Sequence, residues 1–98
     1  MKERLKLFKA LSDETRLNIV EFLLGGEQCV CCIQPHVKRS QSTVSLQLNK
    51  LENLGVVKQR REGKYIYYSI ADETIRKLLY ALGVKRGKKN GRKEKRVC

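Results

Sequence analysis

Long apolar runs are missing from this chain of 98 residues. No stretch approaches the roughly 18–20 consecutive apolar residues that a membrane-spanning helix needs. Residues 1–11 carry a charge at every second or third position, so we expect no secretory signal peptide. We therefore expect a cytoplasmic protein without a membrane partner, in a compartment that keeps thiols reduced.

Acidic residues are also scarce. The chain has 22 Lys and Arg against 10 Asp and Glu, a net charge of +12, which favours a polyanionic partner. Residues 83–98 hold eight basic residues and one Glu, which predicts a flexible basic tail behind a single domain over 1–82. The tail is either a phosphate-binding arm or a solubilising extension, and the sequence leaves both open.

The one histidine and three of the four cysteines lie together in "EQCVCCIQPHV". In a reducing compartment, clustered cysteines indicate metal ligands or redox sensors rather than a disulfide framework. Pro35 predicts a short helix that begins around 32–34 and runs to about Arg39, because proline is accepted only near a helix start. Thiols at such a helix start favour the reactive thiolate. His36 follows the proline, and we interpret it as a surface residue rather than a ligand.

Four further elements follow from hydrophobic periodicity and capping residues. Leu5, Phe8 and Leu11, with Leu7 beside them, predict a first helix over 3–11. The second helix is predicted to start after a Ser12 cap and to end at Gly25-Gly26. Ser40 is predicted to cap a helix that closes at Gly55, and Asp72 to cap a last helix with a narrow apolar stripe.

The helix after Ser40 presents small hydroxyls, an amide and one aliphatic side chain opposite its apolar face, at Ser42, Ser45, Leu46 and Asn49. Such groups suit the edges of base pairs better than they suit solvent, where Lys and Glu are commoner. "VVKQRR" and "KYIYYSI" then predict a β-hairpin with basic residues at its tip. We expect a mainly α fold with a β-hairpin wing, a winged helix-turn-helix, whose partner is double-stranded operator DNA.

Four blocks in order make this chain similar to a known family. "LFKALSDETRLNIVEFLL", "EQCVCC", "SQSTVSLQLNKLENLGVV" and "REGKYIYYSI" together resemble the arsenic-repressor (ArsR/SmtB) family of metal-sensing repressors over residues 5–80. The resemblance implies a homodimer formed through the first and last helices. It also implies a repressor that leaves its operator when an effector binds, with no enzymatic activity and no organic cofactor.

The resemblance also implies residue roles. The family's reading-helix signature falls on Gln41, Ser42, Ser45 and Gln47, where the last is commonly histidine in relatives. The family's "ELCVCDL" sensor motif falls on residues 27–33, and such a site takes soft ions: arsenite, antimonite, cadmium or lead. The family's other site, for zinc, is not expected, since the last helix offers Asp72 and Glu73 but no histidine.

The predicted site residues form three groups. The metal ligands are Cys29, Cys31 and Cys32, of which the adjacent pair should converge on one ion with difficulty, while Cys98 could fold back as a further ligand. The DNA-binding set is Ser40, Gln41, Ser42, Thr43, Ser45, Leu46, Gln47, Asn49, Arg60, Arg61 and Lys64. The dimer-interface set is Leu5, Phe8, Ile75, Leu78, Leu79 and Leu82.

Three other functions of the cysteines stay open at the level of sequence. Cys29 and Cys32 form a C-x-x-C, so the same fold could sense oxidation through a disulfide between them or a related pair. A thiol oxidoreductase is disfavoured because the motif lacks a βαβ context. The thiols could also be structural and inert, since free cysteines are often simply buried.

Overall fold

The computed structural model describes residues 2–85. Five helices and three strands follow one another in this part of the chain, in the order predicted except for one added strand. Their bounds are α1 Lys2–Leu11, α2 Glu14–Leu23, β1 Gln28–Cys29, α3 Val30–Val37, α4 Gln41–Asn53, β2 Val57–Glu62, β3 Tyr65–Ile70 and α5 Glu73–Ala81. None of these helices has the length and apolar composition needed to cross a membrane. The predicted winged helix-turn-helix is confirmed, with α3 and α4 as its two helices and β2–β3 as its wing.

A single apolar cluster joins all five helices to the sheet. Ile19 and Leu23 of α2, Ile33 of α3, and Leu48 and Leu51 of α4 are each at most 1% exposed. Because α2, α3 and α4 share this cluster, the apolar side of each helix fixes where its polar side points. The polar side of α4 is thereby held outward.

Side-chain caps define where three helices begin. Asp13, and not the predicted Ser12, caps α2, because its carboxylate accepts a hydrogen bond from the Arg16 N–H at 3.0 Å. Ser12 instead donates its hydroxyl hydrogen to the Lys9 carbonyl at the end of α1. Ser40 and Asp72 cap α4 and α5 as predicted.

Helix α3 differs from its prediction. It begins at Val30, ends at Val37 and holds Pro35 in its second turn, whereas the proline rule placed its start at 32–34. Pro35 lacks the N–H that would reach the Cys31 carbonyl, so the helix forgoes one backbone hydrogen bond. Burial of Ile33 and Val37 on one side of this short helix offsets that loss. The earlier start places Cys31 and Cys32 inside the first turn.

The sheet has three strands in the order β1-β3-β2, all antiparallel. The hairpin turns at Gly63 and Lys64, and Gly63 has a φ of 64°, a left-handed conformation that suits a two-residue hairpin loop. Strand β1, which the sequence analysis missed, adds Gln28 and Cys29 to the free edge of β3. The wing and the cysteine segment are therefore parts of one sheet.

The C-terminal boundary of the fold lies slightly beyond residue 82. Gly83, with a φ of 93°, ends α5, and the Val84 N–H donates to the Leu79 carbonyl at 3.0 Å. Val84 is buried and packs with the domain, although the sequence assigned it to the tail, whereas Gly83 and Lys85 are exposed. The rest of the predicted tail, residues 86–98 with Cys98, lies outside the described residues.

Candidate thiolate site and nucleic-acid interface

Three cysteines meet where β1 passes into α3. Cys29 ends the strand and occupies the N-cap position of the helix, and Cys31 and Cys32 follow in its first turn. Their sulfur atoms all lie within 4.8 Å of one another, with 3.9 Å between those of Cys29 and Cys32. The first helical turn brings the side chains of Cys31 and Cys32 close to the sulfur of Cys29, whereas their convergence on one ion stays a prediction.

The chemistry of this group suits a soft ion. Thiolates around one thiophilic ion, at metal–sulfur distances of about 2.3 Å, lie a little under 4 Å apart. The helix N-terminus adds a partial positive charge that favours thiolate over thiol. Among the side chains that the structure describes, these cysteines form the one cluster of three or more Cys, His, Asp or Glu residues whose ligand atoms are close enough to hold a metal ion.

The oxidation state of the cysteines decides whether the site can bind a metal ion. Cys29 and Cys31 are joined by a disulfide bond, which is a related pair and not the Cys29–Cys32 pair that the redox hypothesis names first. A metal needs the deprotonated, reduced sulfur, so both ligands become available only after reduction.

The predicted reading surface lies on the exposed side of α4. Gln41, Ser42, Ser45 and Asn49 are exposed, and Leu46 is 51% exposed, which is unusual for a large aliphatic side chain. Hydroxyls, amides and one aliphatic group thus project together from the first three turns of the helix. This is the composition needed to contact base edges in a major groove.

Three other members of the predicted DNA-binding set have structural partners. The Ser40 hydroxyl oxygen accepts the Thr43 N–H and donates to the Thr43 hydroxyl, so both side chains belong to the helix cap. Gln47 is half-buried, and its Oε1 accepts a hydrogen bond of 2.9 Å from Arg16. Arg16 also donates to the Lys9 and Ala10 carbonyls, so it ties α4 to the end of α1.

The three basic residues of the wing differ in their surroundings. Arg60 donates to both carboxylate oxygens of Glu27, at 2.9 and 2.7 Å, and also to Glu62. Within the described residues, Arg61 and Lys64 form no ion pair. The two carboxylates offset the charge of Arg60, so Arg61 and Lys64 are the wing cations better placed to meet a phosphate.

A cleft of about 570 Å³ lies between the thiol group, the reading helix and the wing. Cys29 and Cys31 line one side of it, Ser45 and Asn49 another, and basic wing residues a third. The thiol site therefore opens onto the same cleft as the predicted reading residues. A change of position at Cys29 or Cys31 therefore alters the cleft that the predicted reading residues also line.

The predicted dimer set lies on α1 and α5 and at the C-cap of α5, and its exposed members are termed here the exposed apolar surface of these helices. Leu5 is 64% exposed, Phe8 53% and Leu82 37%, while Ile75 and Leu78 are half-buried. Leu79 is fully buried in the core of its own chain and supports this surface from beneath. Tyr80, 49% exposed, was not in the predicted set. Apolar side chains exposed together in this way are typical of an association surface.

His36 lies outside the thiol group. Its imidazole stacks on the Phe22 ring at a centroid distance of 3.9 Å, and burial there lowers its pKa below the ordinary 6.5, although Glu21 opposes the shift. The imidazole of His36 therefore takes up its proton at a higher pH in the unfolded chain than in the folded chain. The stabilising effect of the neutral ring is present above pH 6.5 and is lost as the pH falls below it.

We expect the urea midpoint to fall between pH 7.5 and 5.5, and to fall less in His36→Phe, which keeps a ring against Phe22 but cannot be protonated. His36 is the chain's one histidine, the residue type whose ordinary pKa lies in this range. Equal pH dependence in the two proteins would contradict the assignment. Phe22→Leu is the matched control, because it removes the stacking and leaves the histidine to titrate.

A winged helix-turn-helix with exposed polar side chains along α4 and a basic wing is a fold of DNA-binding regulators, and here three cysteines lie beside it. The model for "Bacterial regulatory protein, arsR family" matches residues 13–59. The chain belongs to this family of regulators, whose members are not enzymes.

Particular relatives support that membership. The chain is 48% identical over 75 residues to a cadmium resistance transcriptional regulatory protein, a CadC homolog, from Staphylococcus aureus, an alignment that covers 76% of this chain and 62% of that protein. It is 40% identical to the arsenical resistance operon repressor of Escherichia coli, over 68% of this chain and 58% of that one. The homodimeric winged helix-turn-helix domain of Mb0332 from Mycobacterium bovis superimposes with a TM-score of 0.77 at 34% identity, covering 84% of this chain and 76% of that domain.

Proposed function

We propose that this chain is a dimeric transcriptional repressor that leaves its operator DNA when a soft metal or metalloid ion binds Cys29, Cys31 and Cys32. The observation that carries the proposal is the meeting of three sulfurs within 4.8 Å, at a site where Cys29 and Cys31 line the cleft that the reading helix and wing also line. Soft thiolate ligands select soft ions such as cadmium or arsenite. The names of the Staphylococcus aureus and Escherichia coli relatives, which refer to cadmium and arsenical resistance, support the same class of effector.

The proposed mechanism needs only modest coupling between two sites. Closing three sulfurs around an ion moves Cys29, which belongs to β1, and the first turn of α3, which packs beside α4. A coupling of about 1–3 kcal/mol weakens DNA binding about 5–150-fold, which is enough to release an operator. No large rearrangement is required, because the thiols and the reading residues line one cleft.

The dimer completes the DNA interface. Association through the exposed apolar surface of α1 and α5 would bury Leu5, Phe8 and Leu82, which the single chain leaves in solvent. A two-fold axis there places two copies of α4 about 34 Å apart, one turn of duplex, in successive major grooves. The homodimeric Mycobacterium bovis domain supports this assembly.

The test uses the fully reduced protein and a duplex selected from a random pool for binding to it. Cadmium and arsenite are titrated anaerobically while DNA binding is followed by fluorescence anisotropy. Release is expected at one equivalent of ion per chain, that is, one ion for each cluster of Cys29, Cys31 and Cys32. Retention of DNA with either ion, followed by release on oxidation with diamide, would replace the metal-sensing proposal with a redox switch.

Wing substitutions should separate phosphate contacts from base contacts. We expect Arg61→Ala and Lys64→Ala to weaken binding to all sequences alike, and each to reduce the salt slope by about 0.9, the contribution of one neutralised phosphate. Arg60→Ala should change the slope less, because two carboxylates already pair with that guanidinium. Binding measured between low and moderate salt gives the slopes.

Lys77→Ala, an exposed cation on α5, is the matched control for loss of positive charge. An unchanged slope in Arg61→Ala and Lys64→Ala would mean that these two wing residues do not contact the phosphate backbone.

A further inference from the structure

The contact between Glu27 and Arg60 joins two parts of the molecule that are 33 residues apart in sequence. Glu27 directly precedes β1, which ends at Cys29, and Arg60 lies on β2 in the wing. Strand β3 lies between them, so the arginine side chain extends across it to reach the carboxylate. The guanidinium passes over the Tyr67 ring, 4.7 Å from the ring centroid.

The register of the sheet places this contact beside the thiol site. Tyr67 of β3 pairs with Cys29 on one side and with Arg60 on the other. Strand β1 has only two residues, paired with Tyr67 and Tyr68. The links between the cysteine segment and the wing are therefore two residue pairs of backbone, the packing of α3 against β3, and the Glu27–Arg60 contact.

The geometry of the contact fits a role in positioning rather than in holding the fold together. Arg60 is 50% exposed and Glu27 37% exposed, and ion pairs at such exposure contribute little to stability. Two parallel N–H···O bonds, however, fix the mutual orientation of guanidinium and carboxylate.

We propose that Glu27 and Arg60 are positioning residues that transmit ion binding at the cysteines to the wing. When the three sulfurs close on an ion, Cys29 and β1 move, and the paired side chains move β2 with them. Arg61 follows Arg60 directly and Lys64 lies in the turn at the tip, so both cations shift relative to the reading helix. The inference rests on the proposed function, since it names the path by which that site acts.

The experiment measures coupling, defined as the ratio of DNA dissociation constants with and without cadmium, in the full-length reduced protein. Glu27→Gln removes the charge and keeps the size of the side chain. We expect its ratio of DNA dissociation constants to be several-fold smaller than that of the wild type. Cadmium binding, measured by the ultraviolet absorbance of the thiolate–metal bond, should be unchanged. Arg60→Gln should behave alike, and the double variant should lose no more than either single one, because the two side chains act as a unit.

Glu62→Gln is the matched control. It removes the same charge from the same arginine, but Glu62 lies within the wing and does not connect to the cysteine segment. We expect it to keep the wild-type ratio. A wild-type ratio in Glu27→Gln, or an equal loss in Glu62→Gln, would overturn the inference and leave the proposed function intact. A wild-type protein that keeps its DNA in cadmium would refute the proposed function itself.

Discussion

Replacing Cys29 with serine should abolish release of DNA by cadmium and leave binding of the ion-free protein close to the wild-type value. The sulfur of Cys29 is the one that both strand and helix hold in place, and its side chain is only 7% exposed. Serine is nearly isosteric but offers a hard oxygen, which a soft ion does not prefer. The whole response, about 5–150-fold in affinity, is therefore expected to disappear.

Two companion variants make the result specific. Cys31→Ser should behave like Cys29→Ser with both ions. Cys32→Ser should lose the response to arsenite more than the response to cadmium, since arsenic(III) forms three bonds to sulfur, whereas cadmium keeps the two thiolates of Cys29 and Cys31. Anisotropy with the selected duplex gives release, and ultraviolet absorbance of the thiolate–metal bond gives binding.

Cys98→Ser is the control outside the described residues. A full response in this variant assigns the sensing to the three clustered thiols, and a lost response would make the C-terminal cysteine a further ligand. Full release in Cys29→Ser would contradict the assigned site.

Local patterns in the sequence were sufficient to predict most of the fold. The apolar spacing of α4, its Ser40 cap and the Gly63 hairpin depend on residues within a turn or two of each other, which is the range over which periodicity and capping act. The cysteine cluster was visible in the sequence for the same reason, since its three members lie within four positions, but the approach of their sulfurs depends on the first turn of α3. The exposed reading face followed from the positions of the buried leucines.

Features that depend on distant residues were not predictable in this way. Strand β1 has two residues, too few to show an alternating pattern, and it forms only because the edge of β3 is available. The pairing of Arg60 with Glu27 depends on the strand order β1-β3-β2, so the sequence indicated only a basic wing residue. Gln47 was assigned to DNA by resemblance, and its contact with Arg16 spans 31 positions.

The misplaced start of α3 has a different cause. The proline rule is a statement about average cost, and here two buried side chains outweigh one lost hydrogen bond. This compensation implies that α3 depends strongly on its apolar anchors. Those anchors also hold the helix on which two of the three thiols lie.

Ile33→Ala should therefore lower the free energy of unfolding by about 2–5 kcal/mol, the range for removing a buried aliphatic side chain and leaving a cavity. Ile33 is fully buried and belongs to the cluster that α3 shares with α2 and α4. Ile33→Val should cost only about 0.5–1.5 kcal/mol, because it removes a single methyl group. Urea unfolding at one fixed protein concentration measures both, since dimer formation makes stability concentration-dependent.

Leu46→Ala is the matched comparison, because it truncates an aliphatic side chain that is 51% exposed on the reading helix. Its unfolding free energy should stay within about 0.5 kcal/mol of the wild type, as is usual for surface positions. Its base preference should change instead, through loss of an aliphatic contact with a thymine methyl group. If Leu46→Ala destabilised the fold as much as Ile33→Ala, the apolar and reading sides of the helix-turn-helix would be wrongly assigned. If Ile33→Ala alone destabilised the fold and Leu46→Ala alone changed base preference, the buried residues of α3 and α4 would be what holds the reading residues facing outward.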